Sequence, residues 1–477
     1  MKDIINYFRD KYKFWGWMGQ RCHDASGINS IVPLNFIVSC DYGTEVPYYF
    51  NEEDVFSLEK SKKFRKDWSN EHLKTSLNGN LGREIFSRWK TSGEQVNLLC
   101  YRSSGKLEKI AGEKNLKIFA VPENVKEYFD NKVRLYRKLK ELSLPRIKGR
   151  ISRLGKVSYD DLAKELSLPF VVQFPFGSSG LFTFIVQKKE EYENIQNKYP
   201  KNIAVLRRYI NGFSLNVNAV IVSAEHEPKV FCSFPSLQIV GVPECGNFPS
   251  AFCGNDYTSA QMVEKNIIKQ VERQIGTIGG WMAKAGYRGI FGMDFLVEDD
   301  IVYPVEINPR FQNSTALFTA IQNKTGMSQY ALILLHIAEF LQKEDKIAKN
   351  YIKCFPEREL MRALKGCQLI LHNKMRKNVV TGNLVPGVYA AENGSLTFKE
   401  KSVFFGSCQN ENDMLITCGV PSFETEIEPN AAICKIQTQE SFLQTGSSRK
   451  ITEDAKNIVA GVYKNLRLRD AEKVFSR

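Results

Sequence analysis

Gly286-Tyr-Arg-Gly-Ile-Phe-Gly-Met-Asp-Phe-Leu-Val-Glu-Asp-Asp-Ile-Val-Tyr-Pro-Val-Glu-Ile-Asn-Pro-Arg310 is the stretch on which the fold turns. Apolar residues alternate at Met293, Phe295 and Val297, and again at Ile301, Tyr303, Val305 and Ile307. A period of two is the mark of a half-buried strand, so the stretch reads as a β-hairpin. Residues two apart share a face, which leaves Asp294 on one arm and Glu306 with Asn308 on the other. If both apolar sets share a face, paired residue numbers sum to an even value, and a short loop around Asp299 to Ile301 sets Asp294 opposite Glu306. Directly opposed side chains lie roughly 5 Å apart. Two carboxylates that close repel unless a cation lies between them. The amide oxygen of Asn308 completes an all-oxygen set suited to Mg²⁺ or Mn²⁺. Arg310, just past the strand, is placed to meet an anion on the same metal. Glu298, Asp299 and Asp300 read as an ordinary solvated turn tip.

Gly292-Met-Asp-Phe295 followed by Val305-Glu-Ile-Asn-Pro-Arg310 closely resembles the metal-binding hairpin of the ATP-grasp superfamily. The resemblance implies that Asp294, Glu306 and Asn308 hold the magnesium ions that bridge ATP phosphates. It implies that Arg310 steadies a phosphate or the substrate carboxyl group and is the catalytic residue.

Upstream, Phe170-Val-Val-Gln-Phe-Pro-Phe-Gly-Ser-Ser-Gly-Leu-Phe-Thr-Phe-Ile-Val186 places two apolar strands around Gly177-Ser-Ser-Gly180. Such a loop lets backbone N–H groups approach phosphate oxygens, and serine hydroxyls add donors. A tight hairpin without a ligand is the plainer reading. In the resembled family a glycine-rich hairpin at this position closes over the phosphates, which gives Gly177, Ser178, Ser179 and Gly180 that role. Asp130-Asn-Lys-Val-Arg134 matches the place of a nucleotide-contacting lysine, so Lys132 is the candidate. A solvated helix lysine is the alternative. The family's adenine-binding hinge falls at Arg208, Tyr209 and Ile210. Two departures stand out: Gln173 occupies the position of a phosphate-contacting lysine, and Arg207, Arg208 and Ser214 lie where hinge glutamates are usual. Glutamine keeps the hydrogen bond to a phosphate but not the charge.

The chain of 477 residues exceeds one core and implies two to four domains or subdomains. It has no apolar run of about 18 residues, so no membrane span is expected. The charged start Met1-Lys-Asp-Ile-Ile-Asn-Tyr-Phe-Arg-Asp10 lacks the apolar core of a secretion signal. Eleven cysteines without a C-x-x-C pair fit reduced thiols in the cytoplasm and argue against zinc. The net charge of +13 is spread along the chain. Anionic small molecules, beginning with ATP, account for it more simply than nucleic acid does.

The expected fold class is mixed α/β and α+β, in an ATP-grasp architecture. Residues 1–125 read as an open α/β domain, with strands at Asn35–Gly43, Asn97–Tyr101 and Lys117–Val121 and a helix over Asn70–Lys90. Residues 126–345 form the ATP-grasp domain, with a glycine-rich lid at about 168–222 and a metal-binding antiparallel sheet. One helix is expected from Pro122 to Leu142 and another over Ser259–Ala285. Residues 346–477 read as a separate β-rich lobe with strands at Val385–Ala390, Ser395–Phe398, Met414–Thr417 and Ala432–Gln437 and a closing helix over Thr452–Leu466.

Metal ligands, backbone donors and an arginine, without a nucleophile or histidine base, suit phosphoryl transfer, where positioning and charge neutralisation dominate. The resemblance implies an ATP-dependent carboxylate–amine ligase that makes an amide or peptide bond through an acylphosphate. Its substrates would be a small carboxylic acid and an amine, its cofactors ATP and Mg²⁺ (or Mn²⁺). A biotin carboxylase-like carboxylase and a non-catalytic nucleotide-binding regulator are the alternatives. Many members of the family are dimers, which leaves a homodimer open.

Overall fold

The computed structural model describes residues 2–66, 95–177, 182–224, 227–326, 330–392 and 395–475. The helix expected over Asn70–Lys90 lies outside them.

The N-terminal domain is a parallel five-stranded sheet in the order Val55–Ser57, Leu34–Ser39, Trp15–Gly19, Val96–Cys100, Leu116–Phe119. Three of these are the expected strands, each starting one residue early; Leu34–Ser39 ends four residues before the expected Gly43, and the other two end one or two residues early. The central one, Trp15-Gly-Trp-Met-Gly19, was not expected, because two glycines in five residues weaken a strand signal. The structure explains Gly16: a Cβ there would sit inside the ring of Phe36 on the neighbouring strand. The sheet packs on the helix Ala331–Leu341, whose sequence Ala-Leu-Ile-Leu-Leu-His-Ile-Ala-Glu-Phe-Leu is apolar all round and almost wholly buried. Among the described residues no helix is long and apolar enough to cross a membrane.

The helix expected from Pro122 to Leu142 is two helices, Glu123–Asp130 and Lys132–Glu141. The chain breaks at Asn131, whose extended backbone leaves its side chain free to cap the N–H of Arg134 at 3.0 Å. A period of 3.6 runs through both helices, so periodicity alone does not reveal the break. Its effect is to put Lys132 at a helix start. The helix expected over Ser259–Ala285 is likewise a short turn, Tyr257–Ala260, and a long helix, Lys265–Lys284, which buries Ile267, Val271, Ile275 and Ile278 as its period requires.

Two antiparallel sheets follow. The smaller has the order Gly149–Arg153, Ile203–Arg208, Phe170–Gln173, Thr183–Val186. The larger has 11 strands. It starts at the hairpin Gly289–Glu298/Ile301–Asn308 and continues through Phe213–Val222, Ser236–Val240 and Phe252–Asp256. The lid region expected at about 168–222 is thus divided between two sheets, with the change at Asn211-Gly212. The C-terminal strands do not close on themselves either. Cys367–His372 pairs with Phe252–Asp256, and the expected C-terminal strands extend the same sheet outward. The closing helix is present at Glu453–Leu466, capped by Thr452.

Among the contacts that tie the N-terminal domain to the rest are a strand pairing and a buried carboxylate. Strand Phe64–Arg65 joins a small sheet with Glu426–Ile427 of the C-terminal region. Asp345 accepts hydrogen bonds from Lys11 Nζ at 2.9 Å, Tyr12 Oη at 2.8 Å and Tyr7 Oη at 2.9 Å, and caps the N–H groups of Ile347 and Ala348. Burial pushes this carboxyl up, but the bonds from Lys11, Ala348, Tyr12 and Tyr7 outweigh it and hold it down at about 2. A folded value below the unfolded 3.8 stabilises above that pH, and the gain is lost as pH falls towards 2. Asp345→Asn is expected to cost about 2 kcal/mol at neutral pH in urea unfolding, with the deficit narrowing below about pH 4.

Candidate active site

The hairpin register sets Asp294 opposite Glu306 and Gly292 opposite Asn308, as expected. The path to that register differs from expectation. The tip is the two-residue turn Asp299-Asp300, both with left-handed backbone (φ 48° and 60°), which a type I′ turn requires. This pairs Glu298 with Ile301, an odd sum, and a bulge at Val305 restores the even register beyond it. One consequence corrects the reading of the second arm. Val302, Pro304 and Ile307 face inward, while Ile301 is 41% exposed and Tyr303 and Val305 are half-buried. The first arm buries Met293, Phe295 and Val297 as its alternation indicated.

Asp294 is held by amides. Its Oδ1 accepts from Asn216 Nδ2 at 2.7 Å and Gln238 Nε2 at 2.9 Å, and its Oδ2 from Asn308 Nδ2 at 3.2 Å. Gln312 orients two of these amides, its Oε1 accepting from Asn216 at 2.6 Å and from Asn308 at 3.4 Å. Gln312 reaches them because Gly292 has no side chain: a Cβ there would overlap the Gln312 amide. Burial first, and the charge of Glu306 second, push the Asp294 carboxyl up to about 6. Asn308 Oδ1 accepts from Arg310 Nη2 at 3.0 Å. Two carboxylates and an amide oxygen are hard donors, so Asp294, Glu306 and Asn308 fit Mg²⁺ or Mn²⁺.

Arg310 donates to the Tyr101 hydroxyl at 2.9 Å and the Phe311 carbonyl at 2.9 Å, which fixes it against the N-terminal domain. Together with Asp294, Glu306 and Asn308 it lines a cavity of about 180 Å³. Asn216, Gln238 and Ser314 are among the other polar residues of its wall. Sequence reading did not single these three out. A signal existed for the first: Ser214, Asn216 and Asn218 alternate with Leu215, Val217 and Ala219, an unusually polar face for a strand so deeply buried.

Lys132 is buried rather than solvated. Its Nζ lies 2.9 Å from Glu306 Oε1 and donates to the Gly177 carbonyl at 2.9 Å. It therefore joins the start of the glycine-rich loop to the metal hairpin. Ser178, Ser179 and Gly180 lie outside the described residues. Gln173 is buried at the end of its strand, with Nε2 donating to Thr183 Oγ1 at 3.4 Å. At the hinge Ile210 is buried, while Arg208 Nη2 meets Glu298 Oε2 at 2.6 Å and Asn211 N–H donates to Glu298 Oε1 at 2.8 Å. Glu298 is thus not a free turn-tip charge; it clips the hinge carrying Arg208, Tyr209 and Ile210 to the hairpin. Gly212 makes this approach feasible, since any Cβ there would overlap the Val297 carbonyl. Arg207 is buried beside Glu306 and Tyr136, and burial brings its guanidinium down to about 10.

Residues 129–314 match the family model of the ATP-grasp domain, and the chain carries an ATP-grasp domain there. Solved structures resemble nearly the whole chain. The biotin carboxylase domain of Hydrogenobacter thermophilus 2-oxoglutarate carboxylase, in complex with MgADP, ADP and bicarbonate, is 12% identical (TM-score 0.55, 89% of this chain and 86% of that one). Carboxyaminoimidazole ribonucleotide synthase from Aspergillus clavatus, complexed with ATP, is 13% identical (TM-score 0.53, 95% and 98%). Phosphoribosylamine–glycine ligase from Thermotoga maritima is 10% identical (TM-score 0.52, 95% and 97%). At such identities the likeness establishes the fold. No curated protein matches the sequence.

Proposed function

We propose that this chain is an ATP-dependent carboxylate–amine ligase that forms an amide bond between small molecules through an acylphosphate. The observation that carries the reading is the opposed pair Asp294 and Glu306, with Asn308 and Arg310, at one wall of the cavity in an ATP-grasp domain. Asp294, Glu306 and Asn308 would hold Mg²⁺, which supplies charge neutralisation for the phosphates of ATP. Lys132 and Arg207, both beside Glu306, add positive charge where phosphate oxygens would lie. Arg310 presents a planar fork suited to a carboxylate, already oriented by Tyr101 and Asn308. The Gly177 loop would exclude water from the acylphosphate, and the Arg208–Glu298 clip would fix the hinge against which adenine rests. All eleven cysteines are free thiols, ten of them buried, which supports placement in the cytoplasm.

A carboxylase is the second reading, favoured by the likeness to a biotin carboxylase domain over 89% of the chain. One experiment separates them. ADP release is measured with ATP and Mg²⁺ against a panel of small carboxylic acids, bicarbonate and amines. Release that requires an acid together with an amine is the expected result. Release that requires bicarbonate and biotin instead favours the carboxylase. ATP binding without release under any combination favours a regulator, the outcome to which Gln173 and the arginine-rich hinge would then point.

A further inference from the structure

We propose that the cavity where the N-terminal domain, the helix Asn313–Thr325 and the loop 403–406 meet is a second ligand site, which takes a small primary ammonium compound with an apolar body. The cavity measures about 150 Å³. That is far above the roughly 10–15 Å³ that a single water needs.

Three acceptor atoms in its lining residues are orphaned. Both carboxylate oxygens of Asp24 and the Oδ1 of Asn323 are buried and accept no hydrogen bond from any described residue. A buried carboxylate without a donor is costly, and a primary ammonium group carries three N–H donors. The cations near Asp24 do not fill the gap. Arg21 Nη1 donates to Asn313 Oδ1, and Lys435 Nζ is buried without a hydrogen bond among the described residues, so both act on Asp24 by charge and neither by a hydrogen bond. His23, in the same wall, is kept neutral by burial. Lys324 is the cation of the lining, and its Nζ is turned onto the Cys408 carbonyl and over the Phe405 ring. Phe404, Phe405 and Tyr330 supply the apolar wall, and aromatic faces also attract ammonium groups.

This site is separate from the one at the metal hairpin. Asn313 and Ser314 line the first cavity, whereas Thr319, Ala320 and Asn323 of the same helix line the second. The nearest lining residues, Ser314 and Ala316, stand about 3 Å apart along the axis but roughly 160° apart around it. The inference does not depend on the ligase reading, and its test uses no turnover. The full chain is titrated calorimetrically with n-butylammonium chloride. n-Butanol and tetramethylammonium chloride, at matched ionic strength, serve as neutral and donor-free controls. Saturable binding of n-butylammonium alone is expected, weakened at least about tenfold in Asp24→Asn. It should be lost in Ala320→Leu, which fills the cavity without touching a charge and carries the test if Asp24→Asn does not fold. Equal binding of either control overturns the proposal, as does binding that survives both substitutions. So does the absence of saturable binding up to about 10 mM.

Discussion

Glu306→Gln is expected to abolish the Mg²⁺-dependent part of ATP binding and to lower any ATP-dependent turnover by about 10²–10³-fold or more, the scale seen when one preorganised electrostatic contact is removed. Glutamine keeps the size of the side chain and one acceptor oxygen. The fold should survive, because Lys132 retains its bond to the Gly177 carbonyl at 2.9 Å. What changes is charge. With Glu306 neutral, a cation at this wall faces a single carboxylate, Asp294, while Lys132 and Arg207 remain positive beside it. The local balance moves by one unit of charge against a divalent ion. A purely structural role for Glu306 would behave differently: melting temperature would fall, yet the folded fraction would bind ATP with the wild-type response to Mg²⁺. Titrating ATP in Mg²⁺ and in EDTA, for wild type and variant, separates the two without knowledge of the other substrates. An unchanged response to Mg²⁺ in Glu306→Gln would remove Asp294, Glu306 and Asn308 from the role proposed for them.

The hairpin was legible because its information is contiguous. Alternation, turn residues and the polar set all lie within 25 residues, from Gly286 to Arg310. Even there, parity of register was readable while the bulge at Val305 was not, since a two-residue turn plus one extra residue gives the same parity as a three-residue loop. The burial of Lys132 depends on the backbone break at Asn131, which hides inside an unbroken helical period. Gln238 comes to Asp294 from a separate strand and Gln312 comes to Asn216 from a helix start, and nothing in their local sequence marks the meeting. The same limit applies to the long sheet. Phe252–Asp256 pairs with Cys367–His372 more than 100 residues away, a choice made by shape and core packing rather than by propensity in either strand. The buried ion cluster around Arg65 was invisible for a further reason: in sequence it resembles the lysine-rich surface segment that surrounds it.

That cluster yields the largest expected effect on stability. Arg65 donates to both carboxylate oxygens of Glu59 at 2.6 and 2.8 Å and to the carbonyls of Tyr42, Gly419 and Ile433 at 2.9, 2.6 and 2.7 Å. Both partners are almost fully buried, with side-chain exposures of 4% and 1%. The carbonyls belong to the N-terminal domain and to the C-terminal strands, so one guanidinium stitches the two together. Arg65→Met should cost about 3–5 kcal/mol, because it strands a buried carboxylate as well as removing the bonds. Lysine is no substitute, since three donors on a point charge cannot serve five acceptors in a plane. Burial already pushes Glu59 up to about 7 against the opposing charge of Arg65. Without the arginine the carboxyl is pushed further above about 7, so the deficit of Arg65→Met should grow as pH rises above about 7 and level off below it. Removing both charges in Arg65→Met/Glu59→Leu should recover much of the loss, because the stranded charge is the larger part of the cost. Urea unfolding of the two variants at two pH values tests this. A single variant within about 1 kcal/mol of wild type, or a double variant weaker than the single, would show that the pair does not hold the domains together in the way its geometry indicates.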